Sequence, residues 1–186
     1  MGLRTKLVVR SALVLAFFVG AFIALRVCGL VRPFFVPTGA MTPAVSAGDH
    51  IMVEDLSYLT RRPRRGDIVV FKTDGIDKLP MAQIYIKRVA GEPGERVRIS
   101  GGKLFVNDKQ VSLRNALGEI AYDLPPSFAP QATQNEVTVP SGSYFVLGDN
   151  STNSFDSRFW GSVPSGNIVG RVSFCYWPPR RAGAVK

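Results

Sequence analysis

The sequence has a single histidine and few cysteines, which limits the chemistry that it can carry. The two cysteines, Cys28 and Cys175, lie far apart and outside any CxxC pair, and His50 is the lone histidine. Zinc sites and cysteine nucleophiles paired with histidine need a denser set of these residues. The composition therefore predicts no metal and no cysteine-type active site. His50 follows a Gly-Asp turn and is interpreted as a surface or capping residue.

Acidic residues are also scarce relative to basic ones. With 23 lysines and arginines against 14 acids, the chain has a formal net charge of +9. The basic residues are dispersed and no recognition-helix pattern accompanies them, so nucleic acid is not predicted as a partner. Attraction to an anionic membrane surface accounts better for the charge, given the apolar segment near the N-terminus.

One long hydrophobic run is present. Residues 1–10 are basic, and residues 11–31 are apolar apart from Arg26 near one end. About 20 such residues in a helix cross the hydrocarbon core of a bilayer. The basic flank predicts a cytoplasmic N-terminus, with everything after Val31 on the outer side of the membrane. A cleavable signal peptide is the alternative, but no small-x-small cleavage site follows the run.

Residues 32–186 predict a mainly β domain with twisted antiparallel sheets. Glycine and proline are frequent, and short apolar runs rich in β-branched residues alternate with turn formers. Turns leading into strands, or strands themselves, are predicted at residues 48–53, 66–71, 84–90, 144–147 and 168–174. Hairpin signals predict a hairpin-rich insertion over about residues 96–140. Residues 112–134 are expected to form an irregular, exposed excursion, and the tail from residue 178 is expected to fray.

Residues 36–45, which we call the bend, are the most constrained stretch of the chain. Pro37 and Pro43 fix φ and remove backbone donors, so the bend fits neither a helix nor a central strand. Gly39 permits a close approach of another backbone or a ligand. The bend is either a plain elbow between the anchor and the domain or a surface that receives another chain.

Lys87 is the strongest single candidate for catalysis. Because side chains alternate along a strand, Tyr85, Lys87 and Val89 share one face, and Arg88 points to the other. Burial among apolar neighbours would lower the lysine pKa from its ordinary value of about 10.4. A neutral lysine can act as a general base beside a hydroxyl nucleophile. The alternative is an edge-strand lysine that discourages aggregation.

Residues 148–161 form a polar loop that is dense in turn formers. Asp156 and Arg158 lie two residues apart and could pair in a bidentate manner across a tight loop. An EF-hand calcium loop would need a glutamate at its twelfth position, which is absent, so calcium is not predicted.

Four segments taken together resemble the bacterial type I signal peptidases, a family of membrane-anchored serine–lysine peptidases. The segments lie at residues 37–43, 66–71, 85–95 and 148–161, in the family's order and behind a single N-terminal anchor. The likeness runs from the anchor to about Trp177. Four such segments in order are far more specific than any one of them.

The resemblance implies a role for each matched position. Lys87 is expected to be the general base, and Ser154 is expected to hydrogen-bond and orient it. Thr38 and the backbone N–H of residue 40 are expected to form the oxyanion hole. Further residues are expected to support the site or to line its shallow apolar pockets, namely Asp149, Asp156 and Arg158 for support and Val36, Met41, Val45 and Ile86 for the pockets.

One departure from the family pattern affects the activity. The nucleophilic serine of the family falls at position 40, which is Ala40 here. Either Ala40 replaces the serine of an active form, or another hydroxyl attacks, with Thr38 and Thr42 the nearest candidates. A third hypothesis is a non-catalytic module that binds a signal peptide by strand addition. A self-cleaving repressor domain is disfavoured because this chain begins with an anchor.

The implied partners follow from the same resemblance. The expected substrates are exported preproteins with small residues at −1 and −3, cleaved through an acyl-enzyme without a cofactor. Membrane lipid is expected beside the anchor, where Phe34 and Phe35 predict an apolar rim at the membrane surface. The protein-export translocon is a further expected partner, and the bacterial cytoplasmic membrane is the expected location.

Overall fold

The computed structural model describes residues 2–124 and 136–185. The chain divides into two compact units, Met1–Arg32 and Pro33–Lys186. The first unit contains the apolar helix, and the second contains the sheets.

Helix α1 spans Leu3–Val27 and is long and apolar enough, over Lys6–Val27, to cross a bilayer. Gly29, two residues beyond its last residue, has a φ of +72° and donates its N–H to the carbonyl of Arg26 at 3.0 Å. Glycine ends helices in this way because it adopts the left-handed conformation without strain. The helix therefore begins and ends earlier than the predicted membrane-spanning segment of residues 11–31. The basic residues before position 11 are good helix formers and join the helix, and the glycine ends it early.

The second unit is built from short strands, the first of which begins two residues before the unit. In chain order they are β1 (Val31–Phe35), β2 (His50–Glu54), β3 (Ile68–Lys72), β4 (Ile84–Gly91), β5 (Arg96–Ser100), β6 (Lys103–Val106), β7 (Lys109–Val111), β8 (Arg114–Asn115), β9 (Gly118–Glu119), β10 (Val137–Thr138), β11 (Ser143–Leu147), β12 (Val163–Pro164), β13 (Ile168–Trp177) and β14 (Gly183–Ala184). A short helix, α2 (Ser157–Trp160), follows β11, and 3₁₀ turns lie at Leu56–Leu59, Ser151–Asn153, Ser165–Asn167 and Pro179–Arg181.

The larger sheet has the strand order β1-β2-β13-β3-β4-β11-β12, and β14 also pairs with β13. Its pairings from β2 to β12 are antiparallel. Strand β3 is buried on both faces, because Ile68 and Val70 pack into one hydrophobic cluster while Val69 and Phe71 pack into another. This double burial explains why β3 is continuously apolar. The predicted mainly antiparallel β fold behind an N-terminal apolar helix is confirmed.

A smaller antiparallel sheet, ordered β10-β5-β6-β7, lies in the region predicted as an insertion. The prediction that residues 112–134 form an exposed excursion was wrong for the described part of that segment, which ends at residue 124. Leu113, Ile120 and Tyr122 are buried in one cluster with residues of the smaller sheet, because their apolar side chains cover its face. The rest of that prediction falls on residues 125–135, outside the described residues.

The C-terminal tail does not fray as predicted. Pro179–Arg181 form a 3₁₀ turn, and β14 pairs with β13. Arg181 also donates to the carboxylate of Asp49 at 2.8 Å. Backbone pairing and an ion pair together fix a segment whose sequence alone suggested only a basic tail.

Candidate active site

A cleft of about 630 Å³ lies between the bend, strand β4 and the loop that follows β11. Six of the predicted site residues line it: Val36, Thr38, Ala40, Met41, Ile86 and Lys87. The other lining residues are Phe34, Phe35, Pro37, Ala82, Gln83, Ile84, Tyr85, Asn153 and Phe155. The walls are mainly apolar and include one buried amine, a combination that is typical of ligand-binding clefts.

Val45 does not line the cleft, contrary to the prediction. Its side chain is fully buried in the core cluster that also contains Met41 and Ile51. Its N–H donates to the carbonyl of Met41 at 2.9 Å, so the turn directs its side chain into the core. Val45 therefore packs against the inner side of the bend.

The bend is irregular, as its prolines predict, and its first residue pairs with the turn that follows the bend. The N–H of Val36 donates to the carbonyl of Asp49 at 2.9 Å, and the N–H of Gly48 donates to the carbonyl of Val36 at 2.8 Å. Within the bend, the N–H of Thr42 donates to the carbonyl of Gly39 at 3.1 Å. These bonds hold the backbone of residue 40 at the surface of the cleft.

The loop at residues 148–161 holds the bend through hydrogen bonds to the carbonyls of Gly39 and Ala40. Asn150 donates its N–H to the carbonyl of Ala40 at 3.1 Å and its side-chain amide to the carbonyl of Gly39 at 3.2 Å. Gly148 allows this approach, because a Cβ there would lie 2.7 Å from the carbonyl of Ala40 and 2.2 Å from Oγ of Ser154. Position 40 and Ser154 therefore face the same glycine.

Lys87 lies in β4, opposite Val69 of β3, and its side chain is 5% exposed. Removal from water lowers the pKa of Lys87 from 10.5 to about 8. The carboxylate of Asp156 opposes this shift of the pKa, and the guanidinium of Arg158 adds to it. An amine with a pKa near 8 is neutral in a useful fraction of molecules and can accept a proton.

The predicted pairing of Asp156 with Arg158 is present and fully buried. Nε and Nη2 of Arg158 donate to the two carboxylate oxygens of Asp156 at 2.8 and 2.9 Å. Asp156 also accepts the N–H of Gly148 at 3.0 Å, and Arg158 donates to the carbonyl of Ser151 at 2.8 Å. This network fixes the loop beside Ala40.

Asp149 has a partner that the sequence did not reveal. Arg88 donates to both of its carboxylate oxygens, at 2.7 and 2.6 Å, and the two side chains are almost completely buried. Arg88 points away from Lys87 as predicted from the strand period, but it is not a surface residue. Its ion pair with Asp149 joins β4 to the start of the 148–161 loop. Since β4 also contains Lys87, the strand of the proposed base is tied to the loop that holds the bend.

Ser154 is buried, and its Oγ has no hydrogen-bond partner within the described residues. The predicted bond to Lys87 is thus not formed in this structure, and the orienting role of Ser154 stays a prediction. Hydrogen bonds of catalytic groups often tighten only when a substrate is bound. Thr38 is exposed on the wall of the cleft, where a hydroxyl can reach a ligand.

Other residues that the sequence reasoning missed act at the edges of the site. Asn150 holds the bend, and Asn153, Phe155 and Gln83 line the cleft. Their only sequence signal was their position in or near a recognised segment. In the part of the chain that the structure describes, no group of His, Cys, Asp and Glu could hold a metal ion. His50 instead packs between aromatic rings.

Comparison with known proteins assigns the chain to a family. The family described as "Signal peptidase, peptidase S26" matches residues 8–177. The chain is similar to "Probable signal peptidase I-2" of Synechocystis, with 35% identity over 93% of this chain and 72% of that protein. It is also similar to "Signal peptidase I" of Leptolyngbya laminosa, with 38% identity over 80% of this chain and 70% of that protein.

A further relative is "Signal peptidase IB" of Staphylococcus aureus, with 33% identity over 90% of this chain and 85% of that protein. A crystal structure of a signal peptidase I from Enterococcus faecalis aligns with a TM-score of 0.43 and 30% identity, over 60% of this chain and 97% of that one. The family match over residues 8–177 and the relatives in three bacteria support one assignment. The chain belongs to the signal peptidase I family, peptidase S26, whose members remove signal peptides.

Proposed function

We propose that the cleft binds the C-terminal region of signal peptides and that this site belongs to a serine–lysine endopeptidase whose nucleophile is absent at Ala40. The observation that carries the proposal is that a buried amine, Lys87, and position 40 line the same apolar cleft. As the chain stands, it holds such a peptide and cleaves it very slowly or not at all.

The exposed edge of β4 is suited to receive an extended peptide. Residues Ile84–Lys87 pair with β3 on one side. Strand β11 pairs with β4 only from Arg88 onward, so no strand of the described chain pairs with the other edge of Ile84–Lys87. A peptide added there gains main-chain hydrogen bonds and places alternate side chains in the apolar pockets.

With a serine at position 40, the groups in the cleft can perform acyl transfer. The serine Oγ would attack the carbonyl carbon at −1 while Lys87 takes its proton, and Thr38 and the N–H of residue 40 would donate to the developing oxyanion. Lys87 would then give the proton to the leaving amine. Water, deprotonated by the same lysine, would hydrolyse the ester and release the signal peptide. Alanine has no atom that can begin this sequence.

We propose that α1 anchors the protein in the bacterial cytoplasmic membrane, with the basic N-terminus inside and the sheets on the outer side. Phe35 is 57% exposed, and the aromatic residues Tyr176 and Trp177 are also exposed. This aromatic surface is suited to the lipid interface, where a site acting on signal peptides must work. The export translocon is then the source of the substrates.

A dedicated binding module is the second candidate function, and the intact cleft around Ala40 is the observation that favours it. Both candidates bind signal peptides. They differ in whether a serine at position 40 is sufficient for cleavage, which the substitution Ala40→Ser tests.

Binding should be measured with a labelled peptide that carries alanine at −1 and −3. We expect saturable binding to the detergent-solubilised chain and at least about tenfold weaker binding of a peptide with leucine at −1, because the pockets are shallow. Ile86→Phe should fill the pocket and weaken binding by a similar factor. Leu117→Phe, which enlarges an exposed side chain outside the cleft, is the matched control.

Equal affinity for both peptides, or unchanged binding by Ile86→Phe, would contradict the proposed site. Rapid cleavage by the unmodified chain that survives both Thr38→Val and Thr42→Val would show that the active centre lies elsewhere.

A further inference from the structure

The C-terminal tail reaches the outer side of the bend through a single guanidinium. Nε of Arg181 donates to both carboxylate oxygens of Asp49, at 2.8 and 3.0 Å, and Nη2 donates to the carbonyl of Pro43 at 2.9 Å. Asp49 and Pro43 lie at the two ends of residues 43–49, which continue the bend. Arg181 therefore ties together both ends of this segment.

Asp49 is well placed to transmit that restraint. Its side chain is almost completely buried, and its carboxylate also accepts the N–H of Ser46 at 2.8 Å. Its carbonyl accepts the N–H of Val36, the first residue of the bend and a residue of the cleft wall. The tail is thus connected to the cleft through one ion pair and one backbone hydrogen bond.

The position of the bend determines the width of the cleft. One wall comes from the bend, through Val36 and Met41, and the other comes from β4, through Ile86. Asn150 holds the tip of the bend, and Arg181 holds its far end. If the far end is released, the walls can separate, and a pocket that accepts only small side chains can accept larger ones.

We propose that Arg181 is a positioning residue that limits the side chains accepted by the cleft, acting through Asp49 and Pro43. The ligand class, signal peptides, rests on the proposed function. Arg181 is not among the residues that line the cleft. The ion pair is partly exposed, with 30% exposure of the Arg181 side chain. Loss of Arg181 would leave the buried carboxylate of Asp49 without its cation, which also lowers global stability, so the test needs a readout that global stability does not move.

The test compares Arg181→Gln with Arg180→Gln in the full chain in detergent. Arg180 is the adjacent exposed residue, so its substitution removes the same charge and leaves Asp49 and Pro43 paired. Arg181→Lys keeps the charge but lacks the planar guanidinium that reaches both carboxylate oxygens of Asp49 and the carbonyl of Pro43. In both readouts, its values should lie between those of Arg180→Gln and Arg181→Gln.

The first readout is hydrogen exchange of the Thr42 and Val45 amides, which are bonded within the bend. Arg181→Gln should speed their exchange at least about tenfold more than it speeds the exchange of the β3 amides. The second readout is the ratio of the dissociation constants for peptides with valine and alanine at −1. Arg181→Gln should lower that ratio about three- to tenfold, while Arg180→Gln should change neither quantity.

The ratio separates positioning from general stabilisation. A variant that is merely less folded loses binding sites for both peptides equally, and the ratio stays constant. Unchanged exchange in the bend, or faster exchange with an unchanged ratio, would overturn the proposal. If the unmodified chain binds neither peptide, the proposed function fails and the selectivity role fails with it, whereas the exchange result still decides whether Arg181 holds the bend.

Discussion

Replacing Ala40 by serine is expected to make the chain cleave a preprotein with small residues at −1 and −3 at least about 1,000-fold faster than it does unmodified. The added hydroxyl would lie on the wall of the cleft that also contains Lys87. Under the proposed function the other reacting groups lie in the same cleft, so one added oxygen atom would complete the sequence of proton transfers. The measurement is the initial rate of release of the mature protein from a purified precursor.

Lys87→Met in the Ala40→Ser background should abolish the gained activity, because no other base is predicted in the cleft. The pH dependence gives an independent check. Lys87 must be neutral to accept the proton, so the rate should rise with pH through the lysine pKa of about 8.

Ala47→Ser is the matched control for the added hydroxyl. It places the same group just beyond the bend, at an exposed position away from the cleft, and should produce no activity. A folded Ala40→Ser protein that binds the peptide and does not cleave it would favour a dedicated binding role.

Lys87→Met alone is expected to stabilise the fold by about 3 kcal/mol at pH 7, the free energy equivalent of a pKa lowered from 10.5 to about 8. Below pH 8 the folded and unfolded chains both carry the proton, so the folded state bears the full penalty of a buried ammonium. Between pH 8 and 10.5 the folded state releases the proton first, and the penalty shrinks. A buried apolar methionine has no such penalty at any pH.

The stability difference should therefore fall below about 1 kcal/mol at pH 10. The free energy of unfolding of each protein is measured at each pH by urea unfolding, monitored through the fluorescence of Trp160 and Trp177, which both lie in the sheet-containing unit. Lys72→Met is the matched control, because Lys72 is exposed on the neighbouring strand β3 and should show no pH-dependent gain. A destabilised Lys87→Met protein, or a gain that is independent of pH, would show that Lys87 is not desolvated in the folded state.

The sequence was informative where the determinants are local. The period of side chains in β4 predicted that Lys87 would face apolar neighbours, and the spacing of Asp156 and Arg158 predicted their pairing. The hairpins of the insertion were predicted from their turn residues, whose backbone conformations glycine and asparagine favour.

The sequence was uninformative where a contact depends on the order of strands. Arg88 and Asp149 are 61 residues apart, and Asp49 and Arg181 are 132 apart. The second pair meets because β13 lies beside β2 in the larger sheet, which no local pattern specifies. Val45 was misassigned for a related reason, because only the path of the bend decides whether its side chain faces the cleft or the core.

The most direct test of the account is the titration of Lys87 itself. Nuclear magnetic resonance of the chain labelled with ¹³C at the lysine side chains would follow the amine, with the signal identified by its absence in Lys87→Met. If Lys87 is desolvated, its midpoint should lie near pH 8, well below the ordinary lysine pKa of 10.5. A midpoint at about pH 10 or above, as for a lysine in water, would contradict the account.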